Sequence, residues 1–262
     1  MGFLKNNGYI CNMRYIWQRP GKDIAVAILF LGVLCLLIFS AVWAWRQYIS
    51  TPPYVDEKLY PVRGIDVSRH NGEIDFKKVK ESGIDFVFVK ASEGVNHRDS
   101  LFARNIDRAH HEGLKTGAYH FFRFDSNGID QALNFLRAVG SRQPELGLVI
   151  DVESSGNPSG IPVDEIKKQL TMMVEYMNLL GYRVMIYTNL DGYYDYIEDI
   201  LPGYPLWICR FKENPINAEW TFWQYDHHGK VDGVKGDVDL NAFMGDRKAW
   251  ERYLNGAVWP YE

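Results

Sequence analysis

The pattern of apolar and polar positions divides the chain in two. Residues 24–45 form an unbroken stretch of 22 uncharged residues, mostly Ile, Leu, Val, Ala and Phe. As a helix at about 1.5 Å per residue this stretch reaches about 33 Å, enough to span the hydrocarbon core of a bilayer. Further along, short apolar runs alternate with segments of helical period. Strands are predicted at 64–68, 86–90, 116–122, 148–153, 183–188, 205–209, 221–225 and 237–240. Between them lie Phe102, Ile106 and Ala109, then Ile129, Leu133 and Leu136, each set spaced i, i+4, i+7; Ile166, Leu170, Met173 and Met177 follow a similar period. Gly113, Gly140 and Gly181 sit where those helices should stop. Strand and helix alternating through short connections predict a parallel α/β sheet. About eight strands in about 200 residues predict its closure into a barrel, compact and short of some helices in its second half. The expected fold is therefore α/β, an irregular TIM-like barrel preceded by a single N-terminal transmembrane helix.

The expected organisation is a cytoplasmic segment at 1–23, an anchor at 24–45, a linker at 46–60 stiffened by Pro52 and Pro53, a barrel domain at 61–254 and a tail at 255–262. Lys5, Arg14, Arg19 and Lys22 precede the apolar stretch and only Arg46 follows it closely, which predicts a cytoplasmic N-terminus and an exported barrel, periplasmic or extracellular. A signal peptide is the competing reading, but its apolar region is usually about 7–15 residues, shorter than this one. Of 29 basic and 33 acidic residues, five and one lie in the first fifty, leaving 24 and 32 and a net charge of −8 for the rest. That sign argues against a nucleic-acid partner. Cys11, Cys35 and Cys209 fall one in each region, so no disulfide can close within the exported part, and Cys209 in its apolar run reads as a core residue.

Candidate chemistry starts at Leu148-Val149-Ile150-Asp151-Val152-Glu153, an apolar strand that surfaces with two acids at its tip. Strand residues i and i+2 share a face and lie about 6–7 Å apart along the chain. Two carboxylates so close are electrostatically costly unless a site uses them, and paired carboxylates are what glycoside cleavage requires. The other predicted strand ends carry Asp66, His120, Tyr187, Gln224 with Tyr225, and Asp239.

Six fragments in order over residues 62–243 resemble the family-25 glycoside hydrolases, the lysozyme-type muramidases. They are Gly64-Ile65-Asp66-Val67-Ser68 with Ile74-Asp75-Phe76, Phe86 through Gly94, Gly117-Ala118-Tyr119-His120-Phe121-Phe122, Ile150-Asp151-Val152-Glu153, Trp223-Gln224-Tyr225 and Val238-Asp239-Leu240-Asn241. The resemblance implies hydrolysis of the β-1,4 link between N-acetylmuramic acid and N-acetylglucosamine in peptidoglycan. It implies Glu153 as general acid/base, Asp151 as its partner, and Asp66 and Asp239 as the remaining acids. Phe211, and Arg123 with Phe124, depart from the family pattern and bear on subsites rather than on the reaction.

Asp151 has two functional readings: a covalent nucleophile, or a group that orients and charge-stabilises the substrate's own 2-acetamido group. Same-strand acids approach the bond from one side, which favours the second; an inverting mechanism stays open as a third reading. Tyr119, Tyr187, Trp223 and Tyr225 are candidate sugar-contacting aromatics, and His120 and Gln224 candidate neutral hydrogen-bonding groups; the duller reading of each is a core or buried structural residue. Glu93 and Asp99 read as rim or solvated acids. His110-His111 and His227-His228 project in different directions, so no metal and no cofactor are expected. The expected protein is a monomer whose partners are peptidoglycan strands and the membrane. The competing classes are a catalytically inactive cell-wall glycan-binding module and a metal-dependent deacetylase; retention of both acids argues against the first, missing metal ligands against the second.

Overall fold

A computed structural model describes residues 20–50, 55–211, 215 and 219–256, in two units. The first is helix α1 (Pro20–Ser50), whose segment Ile24–Arg46 is long and apolar enough to cross a membrane. Helix persists past the expected end of the anchor and takes in the start of the expected linker. Residues 46–50 contain no breaker, and Pro52 and Pro53 stand just beyond them. Cys11, most of the segment 1–23, residues 51–54 of the linker and residues 257–262 of the tail lie outside the described residues.

The second unit is a barrel. Its strands are β1 (Arg63–Val67), β2 (Phe86–Glu93), β4 (Lys115–Phe121), β5 (Leu148–Asp151), β6 (Val184–Asn189), β7 (Leu206–Cys209), β8 (Phe222–Gly229) and β9 (Val238–Phe243), and β1 pairs with both β2 and β9 to close the ring. The two-residue β3 (His97–Arg98) hangs on the end of β2 as a hairpin. Packing of this unit begins at Val55, inside the stretch expected to be linker, because Val55 and Tyr60 bury against the outer core. The expectation of parallel strands holds from β1 through β8 but fails at β9, which runs antiparallel to both neighbours. Parallel neighbours need a long crossover, usually a helix; the chain between β8 and β9 forms no helix and turns back as a hairpin.

Helices α2 (Phe76–Glu81), α3 (Phe102–His111), α4 (Gly128–Val139) and α5 (Val163–Leu179) cover the first half, and only short turns, α6 (Leu190–Gly192) and Tyr193–Ile197, follow β6. On α3 and α5 the predicted faces are buried. On α4 the buried face is Ala132, Phe135 and Val139, with Ile129, Leu133 and Leu136 only half-buried. That helix carries two apolar stripes, and the bulkier Phe135 takes the core side, where Gln131 and Asn134 also find loop partners.

Side chains alternate across each strand. Outward residues such as Ile65, Val87, Val89, Ile150 and Ile186 pack under the helices, while inward ones fill the barrel. At the N-terminal end of the strands the filling is aromatic: Phe86, Phe88, Trp207, Phe222 and Phe243, closed off by Trp250 and Tyr253 of α7 (Arg247–Leu254). Phe88 stacks on Trp207 at 4.3 Å between centroids, and Phe243 meets Trp250 at 5.0 Å. The rings fit because glycine faces them. A Cβ on Gly64 would lie 2.2 Å from the Phe86 ring, and one on Gly117 2.3 Å from that of Phe88. Overpacking of this kind costs about 1–3 kcal/mol. We therefore expect Gly64→Ala to lower the melting temperature by about 2–12 °C, at about 2–4 °C per kcal/mol for a domain of this size; thermal denaturation followed by near-ultraviolet circular dichroism checks it.

Candidate active site

Above the aromatic plug, at the C-terminal ends of the parallel strands, the barrel opens into a cavity of about 220 Å³ lined by Asp66, Tyr119, Asp151, Glu153, Tyr187, Trp207, Gln224 and Asp239. That end is where α/β barrels carry chemistry. A larger groove of about 610 Å³ lies on the outer surface beside α2 and α3, but its acids Glu73, Asp75 and Glu112 each have a basic side chain beside them, Glu73 with Arg104 and with Arg108 at 3.6 Å, Asp75 with Lys78 at 4.0 Å and Glu112 with His111 at 3.1 Å. Among the described residues no cluster of three His, Cys, Asp or Glu side chains is arranged to hold a metal ion.

Strand closure brings two of the acids together. Asp66 on β1 stands directly opposite Asp239 on β9, and the two carboxyls share a hydrogen bond. Asp66 Oδ2 accepts N–H groups from Asn241 Nδ2 at 2.8 Å and Gln224 Nε2 at 2.9 Å. Each amide has its oxygen occupied in turn: Tyr187 donates its hydroxyl to Gln224 Oε1 and Trp207 donates Nε1–H to Asn241 Oδ1, both at 2.8 Å. Burial pushes Asp66 up to about 6 despite these donors, and burial together with the Asp66 charge pushes Asp239 up to about 9.

Asp151 ends β5, and Glu153 sits two residues on, in a turn pinned by Asn157. The Asn157 side chain donates to the carbonyls of Glu153 and Phe122, both at 2.9 Å, and accepts from Phe124 N–H at 2.9 Å. Burial raises Asp151 well above the usual carboxylate range, and the neighbouring Glu153 adds to it. Glu153 is raised by burial and by Asp66. Its side chain is half-buried, whereas Asp151 is buried with Oδ1 lacking a partner. The two carboxyls are coupled, so burial and their mutual repulsion disfavour ionising both. The opposing charge is Lys90, whose Nζ lies 2.9 Å from Glu93 Oε2 and 5.0 Å from the Phe121 ring centroid; it favours ionisation of both Asp151 and Glu153.

Seven of the ten residues singled out in the sequence line this cavity: Asp66, Asp151, Glu153, Asp239, Tyr119, Tyr187 and Gln224. His120, Trp223 and Tyr225 face away from it, because each adjoins an inward residue on its own strand and so points to the opposite side of the sheet. His120 is fully buried between Ser92 Oγ at 2.8 Å and Gln131 Oε1 at 3.2 Å, and burial pulls its imidazole down to about 4. Trp223 donates to the Arg210 carbonyl at 2.7 Å, and Tyr225 packs under the Arg63 guanidinium in the outer core. Asp99 is neither rim nor solvated: it is buried and caps a turn, accepting from the N–H groups of Arg69 and Leu101. Trp207 was not anticipated. The alternation Leu206-Trp207-Ile208-Cys209 carries the signal, but an apolar strand reads equally well with either face inward. Cys209, at the C-terminal end of β7, is half-buried, with its thiol pushed up to about 12 by burial.

A barrel with buried, proton-holding carboxyls at this rim is the architecture of an acid–base glycosidase. The sequence model described as glycosyl hydrolases family 25 matches residues 65–234, and the chain belongs to that family. It is 34% identical over 205 residues to the uncharacterized protein YegX of Escherichia coli K12, covering 75% of each chain. It is also 34% identical over 252 residues to Lysozyme M1 of Streptomyces globisporus, covering 86% of this chain and 81% of that one. The solved structure of a family 25 glycosyl hydrolase from Bacillus anthracis superposes with a TM-score of 0.69 at 33% identity, over 78% of this chain and 98% of that one. The protein is a glycoside hydrolase.

The acid cluster makes stability depend on pH. An aspartate in the unfolded chain loses its proton near 4, whereas Asp239 in the fold keeps it to about 9. Its stabilising contribution is fully present below the unfolded value and is lost as the pH rises toward 9. Asp239→Asn, which still donates to Asp66 but cannot ionise, should therefore melt higher than wild type at pH 8 and alike at pH 4. Because Asp239 is partly solvated and its proton is shared, the gain expected at pH 8 is about 1–2 kcal/mol, or about 2–8 °C. Melting curves at the two pH values check it.

Proposed function

We propose that this protein is a muramidase that cleaves the β-1,4 bond between N-acetylmuramic acid and N-acetylglucosamine of peptidoglycan and is tethered to a membrane by its N-terminal helix. The observation that carries this reading is the enclosure of Asp66, Asp151, Glu153 and Asp239 in one cavity at the catalytic end of the barrel. Family membership and similarity to Lysozyme M1 support the substrate class. The four cationic residues before the apolar stretch, against Arg46 close behind it, support a cytoplasmic N-terminus and a domain working on the far side of the membrane.

In the proposed reaction Glu153 gives its proton to the glycosidic oxygen. As the C1–O bond breaks, the carbonyl oxygen of the substrate's own 2-acetamido group bonds to C1, and the leaving strand departs as an alcohol. The Glu153 carboxylate then takes a proton from water, whose oxygen attacks C1, reopens the ring and restores the acetamido group. Asp151 accepts the acetamido N–H and balances the positive charge that develops there. Its unpartnered buried Oδ1 favours this role, since a buried acceptor calls for a donor. An N–H given to Asp151 also stabilises its charged form and so moves the pair's proton to Glu153, where the reaction uses it. Tyr119, Tyr187 and Gln224 line the same cavity and position the sugar.

Mass spectrometry of products from purified peptidoglycan should find new reducing N-acetylmuramic acid ends. Glu153→Gln should lower kcat by about 10²–10⁴; equal hydrolysis by the variant and wild type would remove Glu153 as the acid. De-N-acetylated glycan should resist cleavage, and normal cleavage of it would turn Asp151 into a nucleophile. The reaction needs a protonated Glu153, and burial with Asp66 raises its pKa. A kcat/KM profile should thus fall as the pH climbs through that raised value.

A further inference from the structure

The hydrogen bonds that hold Asp66 have a fixed direction. An indole N–H can only donate, and that of Trp207 donates to Asn241 Oδ1. The amide is oriented by that bond, so its nitrogen is the atom that faces Asp66. Gln224 brings a second N–H to the same Asp66 oxygen, Oδ2. Two N–H groups on one oxygen favour the charged form of Asp66, whereas burial and the Asp66 charge hold Asp239 higher, so in the hydrogen bond between them the proton belongs to Asp239. The arrangement is sealed: Trp207 is 2% exposed and Asn241 0%.

We propose that Trp207 and Asn241 are positioning residues for the proton donor: the indole locks the amide, the amide keeps Asp66 ionised, and the charge on Asp66 keeps the proton on Glu153. This rests on the reading of Glu153 as the acid. Two neutral amides suit the task better than a lysine or arginine would. They solvate the Asp66 charge without cancelling its field at Glu153, whereas a cation would do both. The field that Glu153 meets is otherwise small in number. Asp151 on β5 and Asp226 and Asp239 on β8 and β9 crowd the acids, and Lys90 on β2, held by Glu93, opposes them. Tyr119, Tyr187 and Cys209 also face the acids, with burial holding all three above their usual ranges, and so stay neutral across the working pH.

The test is the pH profile of kcat/KM for the full-length protein in detergent, acting on soluble peptidoglycan glycan strands. Asn241→Leu removes the donor at nearly constant volume. Asp66 then keeps its proton, Glu153 loses its negative neighbour, and the alkaline limb moves down by about half to one pH unit. Activity on the acid side of the limb changes less. Trp207→Phe, which frees the amide to turn over, moves the limb the same way by less. If Asn241→Leu does not fold, the Trp207→Phe profile decides. A loss of activity that is uniform in pH, with the alkaline limb unmoved, overturns the proposal and leaves both residues as packing. Glu153→Gln separates the two levels: an active Glu153→Gln variant defeats the functional reading, whereas an inactive one beside an unmoved limb defeats only this inference.

Discussion

Closure of the sheet is the constraint on which the rest depends. β1 must pair on both edges, and the strand that completes the ring, β9, arrives by a hairpin and runs antiparallel to it. In that register Asp66 stands across from Asp239, and Asn241 comes within reach of the same carboxylate. Strand alternation then assigns every second residue to the interior. The interior is graded along the barrel axis: glycine makes room for phenylalanine and tryptophan at one end, and carboxyls with tyrosines occupy the other. The cavity opens where the aromatic packing stops.

Placing four acids in a space of about 220 Å³ is unfavourable for their charged forms. Three devices limit the cost. Asp239 keeps a proton and donates it to Asp66; neutral amides solvate the charge left on Asp66; and Lys90 supplies one cation at the edge, restrained by Glu93. What remains is a site whose proton inventory is set by burial rather than by bulk pH. The same burial that raises Glu153 and Asp239 works against the fold once the solution turns alkaline. The aromatic plug beneath, in which Phe86, Phe222, Phe243, Trp250 and Tyr253 meet mostly edge to face or tilted, with Trp250 stacked on Tyr253, supplies the rigidity that keeps these carboxyls in place.

Much of this was legible in the chain. Short runs of four to seven residues marked all eight barrel strands to within a few positions, and the 3.6-residue period placed α3 and α5 with their buried faces. Failures came where two solutions share one pattern. α4 carries two apolar stripes, and only its neighbours select the one holding Phe135. β9 looks like any other strand until the missing crossover helix reverses it. On β8, Trp223, Gln224 and Tyr225 cannot all reach one cavity, and nothing local says that Gln224 is the inward residue. His120 beside Tyr119 poses the same problem, resolved by Ser92 and Gln131, which are remote in sequence from each other.

What the amino-acid sequence determined by itself was local: an apolar stretch of membrane-spanning length, the strand and helix periods, and a strand ending in Asp151-Val152-Glu153, because each depends only on neighbours along the chain. What only the tertiary structure decided was which face of each strand looks inward, that Asp66 and Asp239 meet across β1 and β9, and that Trp207 and Asn241 form a hydrogen-bonded chain ending on Asp66. Those outcomes require residues up to 175 positions apart to meet. Register and closure of the sheet bring them together, and no short-range pattern encodes either.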